Sequence, residues 1–439
     1  MARMAQKELA LSWDEIDEAP DLARVRMMLF EADDEELMRK LERARKGRRD
    51  DYPVRVCWNV LLTGMVLGHR STAAMLRELE RNPTLRRAVG ISVANGVDGV
   101  PTKDAMSRFS KKLVRYGRDV RRIVDAMLDR LRRHLPDLGK QSGVDSTAIR
   151  TWARGRRDPS ESADPDARWG RKTKRWTDKE GKVHEDVTKW FGYKAHLLVD
   201  TKHELPLARR LSPANAADVN HLIPLVEQLE ERHPGIRAET LSADKAYDDG
   251  SKVRELYEEH GIRAVFALRD TAQDGEDGEP LKPGSNVLLG DDGTVYCYHK
   301  NRTAIIRQAM AYWGWEHSRG TQKWRCPAAA YGLSCPDRDN CSPTPYGKTV
   351  RVHAEQDWRR FGPVARGTKK HGRLYNGRTA TERVNGRLKH GLTLDELTVR
   401  GREKIALKLD MAILVLYALA LGHLKRKAKH WRSYTRITD

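Results

Sequence analysis

Apolar residues recur at helical spacing through nearly all of residues 22–135, the pattern of amphipathic and buried helices. Arg55-Val-Cys-Trp-Asn-Val-Leu-Leu-Thr-Gly-Met-Val-Leu-Gly68 is so continuously apolar that it predicts a helix buried on most sides. A polar turn follows, then a helix over Ser71 to Glu80. Ser71 or Thr72 would cap it, because a short hydroxyl side chain can accept a hydrogen bond from a free first-turn N–H. Val100-Pro-Thr-Lys-Asp-Ala-Met-Ser-Arg-Phe109 opens a second capped start and leads into a long basic helix ending at His134.

The texture changes at Pro136-Asp-Leu-Gly139. Gly143-Val-Asp-Ser-Thr-Ala-Ile149 is short and β-prone, and the polar stretch 150–189 reads as a long loop. Phe191 to Asp200 and Pro206 to Leu211 predict a hairpin around Lys202-His-Glu204. A helix from Asp218 to Glu231 comes next, with Asp218 as its cap. A strand over Glu239 to Ala243, a helix over Ser251 to His260 and a strand over Ala264 to Leu268 complete the run. Strands and helices in that order predict a mixed α/β sheet. Residues 270–370 break the pattern with Gly, Asp and Pro, and helical character returns at Arg378. The expected organisation is a helical N-terminal DNA-binding domain (1–135), the first part of an α/β core (136–269), an insertion (270–370), and core helices with a basic tail (371–439).

Composition narrows the partner. The 439 residues carry 82 Lys and Arg against 62 Asp and Glu, a formal net charge of +20. Such an excess favours polyanions, because each neutralised phosphate releases condensed counterions. The apolar run Met411 to Leu421 is short of the ~20 residues that cross a bilayer and predicts a core helix, so no membrane partner is expected. The first 21 residues are acidic by position 14 and have no apolar h-region, so no signal peptide is expected either. Five cysteines in a chain of this length suggest a reducing cytoplasm rather than a disulfide scaffold.

The most informative segment is Tyr375-Asn-Gly-Arg-Thr-Ala-Thr-Glu-Arg-Val-Asn-Gly-Arg-Leu-Lys389. On a helix Arg378, Glu382, Asn385 and Lys389 share one face, while Val384 and Leu388 share another and would anchor the helix to a core. A carboxylate flanked by cations suits a place where metal and phosphate meet; ordinary i,i+4 ion pairing on an exposed helix is the plainer reading of the same spacing. Tyr375, Arg378, Glu382 and Lys389 together resemble the Tyr-Arg-Glu-Lys signature of a large group of bacterial insertion-sequence transposases. Gly143-Val-Asp145-Ser-Thr and Leu241-Ser-Ala-Asp244-Lys-Ala-Tyr247 resemble the segments that bear that family's first two catalytic Asp residues. Tyr52 to Leu113 resembles its helical N-terminal domain, and Phe191 to Leu211 its hairpin. Asp248 and Asp249 are acidic neighbours of Asp244, ranked below it because they follow the aromatic Tyr247 in a turn.

The resemblance implies an RNase H-like catalytic core, with a helical N-terminal domain and an insertion before the last catalytic helix. It implies a DDE triad of Asp145, Asp244 and Glu382 holding two Mg²⁺ (or Mn²⁺) ions. Tyr375, Arg378, Asn385 and Lys389 would then be DNA contacts. In-line phosphodiester cleavage puts charge on the entering and leaving oxygens, which two ions about 4 Å apart can stabilise. The implied reaction is cleavage at transposon ends followed by strand transfer into target DNA. The implied partners are double-stranded terminal inverted repeats and target DNA, bound by a homodimer in the bacterial cytoplasm, nucleoid-associated when on DNA. Two other readings are a structure-selective RNase H-like nuclease and a non-catalytic DNA-binding descendant of a transposase.

Cys297, Cys326, Cys335 and Cys341 crowd into the insertion, and Cys57 stands alone in an apolar helix, where it reads as core. A tetrahedral structural Zn²⁺ site and ordinary reduced thiols both remain open for the four, whose spacings are not Cys-x-x-Cys knuckles; His299 and His317 are spare ligands. Trp152, Trp169, Trp176 and Trp190 lie in or beside the basic stretch between the first two Asp residues. They read as core filler or as platforms for unpaired bases.

Overall fold

The computed structural model describes residues 20–45, 52–269, 278–300, 305–342 and 344–428. The segment expected to lack a signal peptide and most of the basic tail lie outside them. The contacts of the described residues form two compact units, one within 1–134, 150–167 and 386–439, the other within 135–149 and 168–385.

The first unit is helical. Val54–Val66 is buried along almost its whole length, including Cys57, as its unbroken apolar run requires. Ser71 caps Thr72–Arg81 by accepting from the Ala74 N–H at 3.2 Å, and Thr102 caps Lys103–Val114 by accepting from Ala105 at the same distance. The helix Arg402–Lys425 is long and apolar enough to span a bilayer by length and composition. It is instead packed against Gly117–His134, Pro20–Glu31 and Val54–Val66, with 89% of its apolar window buried. Its one buried acid, Asp410, pairs with Arg121 at 3.4 Å.

The second unit is built on a six-stranded mixed sheet: β1 (Gln141–Arg150), β2 (Arg168–Thr177), β3 (Val183–Asp200), β4 (Leu205–Pro213), β5 (Thr240–Ala243) and β6 (Arg263–Phe266). Strand order is β2-β3-β1-β5-β6, with β4 also on β3. β3 and β4 form the expected antiparallel hairpin, while β5 and β6 run parallel to β1. An antiparallel hairpin beside a parallel trio is the RNase H-like arrangement, and helices Leu222–Arg232 and Gly250–Glu258 serve as crossovers. The 3₁₀ turn Asp218–His221 precedes the first of these. Asp218 does not cap it but pairs with Lys194 at 2.9 Å.

The stretch expected as a loop over 150–189 is the main correction. Residues 168–177 are β2, and β3 starts at Val183, so the two form a ribbon continuous with the sheet. Polar side chains cover both faces of its outer half, which leaves no apolar alternation to read. Cross-strand pairs hold it: Trp176 stacks on His184 (ring centroids 5.4 Å apart), and Arg175 meets Glu185 at 2.7 Å.

Between β6 and the last helices sits the insertion, two small antiparallel sheets. One pairs Ile305–Ala309, Val295–Lys300, Val287–Leu289 and Glu279–Pro280; the other pairs Ala311–Glu316, Thr321–Arg325 and Thr349–His353. Their shared core includes Val287, Val295, Trp324, Val352 and Phe361. The insertion is tied to the sheet's crossover: Trp315 Nε1 donates to the Tyr257 hydroxyl at 2.7 Å, and Arg366 donates to the Phe266 carbonyl at 2.6 Å.

Candidate active site

β1 and β5 pair in parallel, with Gln141 opposite Thr240, Ser142 opposite Leu241 and Gly143 opposite Ser242. The ladder ends there; two residues further along each segment stand Asp145 and Asp244, close enough for the charge of Asp244 to act on Asp145. Neighbouring strands lie about 4.8 Å apart, so two carboxyl groups 99 positions apart in sequence become side-by-side neighbours. Asp145 Oδ1 accepts from the Ser146 N–H at 2.8 Å, and Asp244 accepts from the Ala246 N–H at 2.9 Å. Burial pushes the Asp145 carboxyl from 3.8 up to about 6. The charge of Asp244 adds to the rise, while the Ser146 N–H, Arg378 and Lys172 oppose it.

The helix Thr379–Gly386 lies on this pair. Asn385 Nδ2 donates to Asp145 Oδ2 at 3.0 Å, and its own Oδ1 is buried with no partner. Gly143 makes the approach possible, since a Cβ there would stand 2.9 Å from the Thr381 methyl and 3.1 Å from the Thr201 methyl. Arg383 reaches Glu204 in the β3–β4 turn at 2.7 Å and pins the helix to the hairpin. Val384 and Leu388 are fully buried, as their spacing required.

Glu382 follows Thr381 but faces solvent, its side chain 57% exposed, and it pairs with Arg378 at 3.0 Å. Burial lowers the Arg378 pKa, but Tyr375, Glu382 and Asp145 outweigh it and the net shift is upward. The Arg378 guanidinium lies 5.8 Å from the Tyr375 ring centre. Asp145, Asp244, Tyr375, Arg378, Glu382 and Asn385 thus share one compact unit. Asn385, expected on a DNA-facing stripe, is engaged with Asp145. Lys389 departs from the helical stripe, because residues Arg387–Gly391 wind as a π-helix, and it pairs with Asp395 at 2.9 Å.

The lower ranking of the neighbouring acids has a structural counterpart. Asp248 is buried and accepts from the Arg269 N–H at 2.8 Å, and Asp249 caps Gly250–Glu258. Sequence reasoning missed Lys172, an exposed ribbon residue whose charge reaches Asp145. It also missed Tyr247, a buried phenol under the two Asp residues whose hydroxyl has no partner; burial, then the charges of Asp218, Asp145 and Asp244, raise its pKa. The alternation of cations in Arg168-Trp-Gly-Arg-Lys-Thr-Lys-Arg175 was the available signal for the ribbon. Trp169 and Trp176 are half exposed there, Trp152 is exposed in the helical unit, and Trp190 is buried with Nε1 donating to the Tyr193 carbonyl.

Four of the five cysteines, Cys297, Cys326, Cys335 and Cys341, line one small cavity in the insertion and form no disulfide. Among the described residues, no group of three or more His, Cys, Asp or Glu side chains stands already arranged to hold an ion, at the carboxylates or at the thiols.

Comparison with known proteins gives two family matches. The family described as Transposase DDE domain matches residues 117–418, and that described as Transposase domain (DUF772) matches residues 12–112. No curated protein matches the chain. Among solved structures, a piggyBac transposase synaptic complex with hairpin DNA aligns with a TM-score of 0.40 and 11% identity, over 95% of this chain and 78% of that one.

Proposed function

The chain belongs to the transposase DDE-domain family, and from that premise we propose that Asp145, Asp244 and Glu382 are the acidic triad of a DNA transposase that cleaves at the ends of its element and joins them to target DNA. The observation that supports this reading is the parallel β1–β5 ladder, just beyond which Asp145 and Asp244 follow on adjacent strands, with Asn385 of the helix bearing Glu382 donating to Asp145.

The residues suit divalent metal. A carboxyl pushed up to about 6 by burial, beside a second carboxylate, is one that a bound cation would relieve, and the buried Asn385 Oδ1 lacks a donor. Hard oxygen ligands of this kind suit Mg²⁺ or Mn²⁺. Asp145 would be shared between two ions, with Asp244 and Glu382 each completing one. Bound there, the ions would supply Lewis-acid stabilisation of the scissile phosphate and a lower pKa for the attacking water or 3′-hydroxyl.

The chain's own side chains supply the rest. Asn385 holds the Asp145 carboxylate in one orientation. Arg378 is a phosphate contact, and its ion pair with Glu382 makes that contact consequential: a DNA phosphate that takes the guanidinium frees Glu382 for metal. Exposed Arg171, Lys172, Arg175 and Lys189 on the β2–β3 ribbon track the backbone of duplex DNA, since a two-stranded ribbon fits a major groove. Half-exposed Trp169 and Trp176 offer stacking faces for an unpaired end base. Lys389 and Tyr375 complete the contacts to terminal inverted repeats. The working assembly is a homodimer on paired ends, acting in the bacterial cytoplasm at the nucleoid.

The test is the full chain with Mg²⁺ and duplexes carrying its own element's ends. Nicking and joining are expected, and both vanish in Asp145→Asn while DNA binding stays. Cleavage without joining would establish the nuclease reading instead, and binding without cleavage the non-catalytic one.

A further inference from the structure

The insertion carries a second cluster of chemistry that the reaction does not use. Cys297 lies in the strand Val295–Lys300 of one small sheet, and Cys326 follows the strand Thr321–Arg325 of the other. Cys335 and Cys341 come from the excursion that links this second sheet to its last strand. All four thiols line a single cavity of about 30 Å³, too small for an organic ligand. We propose that these four thiolates bind one structural Zn²⁺ that staples the two sheets of the insertion together.

Three features of the surroundings suit a tetrathiolate. Zinc held by four thiolates carries a net charge of −2, and the cavity wall includes the cations Arg338 and Lys348. The Lys348 ammonium donates to Asn286 Oδ1 at 2.5 Å, which orients the carboxamide so that Nδ2 faces Cys341 Sγ at 3.5 Å. An N–H aimed at sulfur, itself set by a neighbouring charge, is the outer-shell support that thiolate ligands receive in metal sites. The backbone also closes tightly on the cluster. Gly347 has φ +75°, and a Cβ there would stand 2.8 Å from Cys326 Cβ and 3.4 Å from its sulfur. The Cys326 N–H donates to the Lys348 carbonyl at 2.7 Å, which locks that crossing.

The four sulfurs share the cavity without forming a closed ligand set. Side-chain rotation completes it, each thiol giving its proton to solvent as it binds at about 2.3 Å from the metal. The need is physical: the insertion's cluster of buried apolar side chains is small, and small cores of this kind depend on a staple.

The full chain, purified from zinc-replete cells without chelator, should contain one zinc per chain, released by a mercurial reagent that titrates thiols. Cys326→Ser and Cys341→Ser should each lower the content several-fold, while Cys57→Ser and Asp145→Asn leave it at one. Should the serine variants fail to fold, Co²⁺ replacement in the wild-type chain still decides, since four thiolates produce intense sulfur-to-cobalt charge-transfer bands and tetrahedral visible bands. Zinc-free protein from zinc-replete cells, a disulfide among the four by mass spectrometry, or Co²⁺ spectra without thiolate bands would overturn the proposal.

Discussion

Asp145 and Glu382, two of the carboxylates proposed to share a site, are held by different means. Asp145 sits mid-strand in β1, its carboxylate gripped by the Ser146 N–H and Asn385. Glu382 lies on an exposed helical face and pairs with Arg378, four residues before it. The Asp145 carboxylate is therefore preorganised, whereas Glu382 already has a partner in Arg378. On the proposed reading, a phosphate that competes for the arginine would free the third carboxylate, coupling DNA engagement to assembly of the catalytic centre.

The largest expected effect breaks the platform. Asp145→Asn and Asp244→Asn should lower end cleavage by at least ~10³-fold, the several kcal/mol that a lost metal ligand represents. Duplex binding, read by gel shift, should change by less than about twofold. An Asp244→Asn chain that still cleaved would remove this residue from the triad.

The next effect follows from the raised Asp145 carboxyl. A group whose folded-state value lies above its ordinary one favours folding at low pH and withdraws that contribution as pH rises through about 6. The metal-free chain should thus lose on the order of 2–3 kcal/mol between about pH 4 and 7, at roughly 1.4 kcal/mol per unit. Asp145→Asn should restore this and unfold at a higher temperature than wild type at pH 7.5. Because the ion competes with the proton, the Mg²⁺ concentration for half-maximal cleavage should rise about tenfold per unit below about pH 6. A flat profile would mean that Asp145 is not a ligand.

A smaller effect sharpens the contrast with Glu382. Arg378→Ala removes the competitor, so Mn²⁺ binding to the DNA-free chain, followed calorimetrically, should tighten several-fold, even as end binding weakens. Equal weakening of both would show that the ion pair does not gate the carboxylate. The smallest effect lies on the ribbon. Lys172→Ala should lower the slope of log affinity against log salt by roughly 1, the share of one phosphate contact. Lys389→Ala should change it less, since Lys389 is already paired with Asp395.

Local structure was largely legible beforehand because it depends on near neighbours. The apolar run at 55–68, the cap at Ser71, the capped start within Val100 to Phe109 and the hairpin around Lys202-His-Glu204 all follow from residues within a few positions of one another. The ribbon was missed because a two-stranded element wet on both faces carries no hydrophobic alternation. The helical stripe from Arg378 to Lys389 ran straight on paper but not in space, since the π-turn at Arg387–Gly391 shifts the phase of its last member. That Asn385 donates to Asp145 was not legible, because spacing gives a face and not a neighbour.

By itself the sequence determined which groups are present and which local elements carry them: an acidic residue in each of two β-prone segments, a Glu in a Tyr-Arg-Glu-Lys segment, a basic excess suited to phosphate, and four clustered cysteines. Only the tertiary structure decided who meets whom. The β1–β5 pairing brings the segments of Asp145 and Asp244 together, the close approach at Gly143 brings in the helix of Glu382, and the folding of two small sheets gathers the four cysteines around one cavity. The reason is that strand register and helix docking are set by packing between residues 99 or more positions apart. No local pattern encodes that distance.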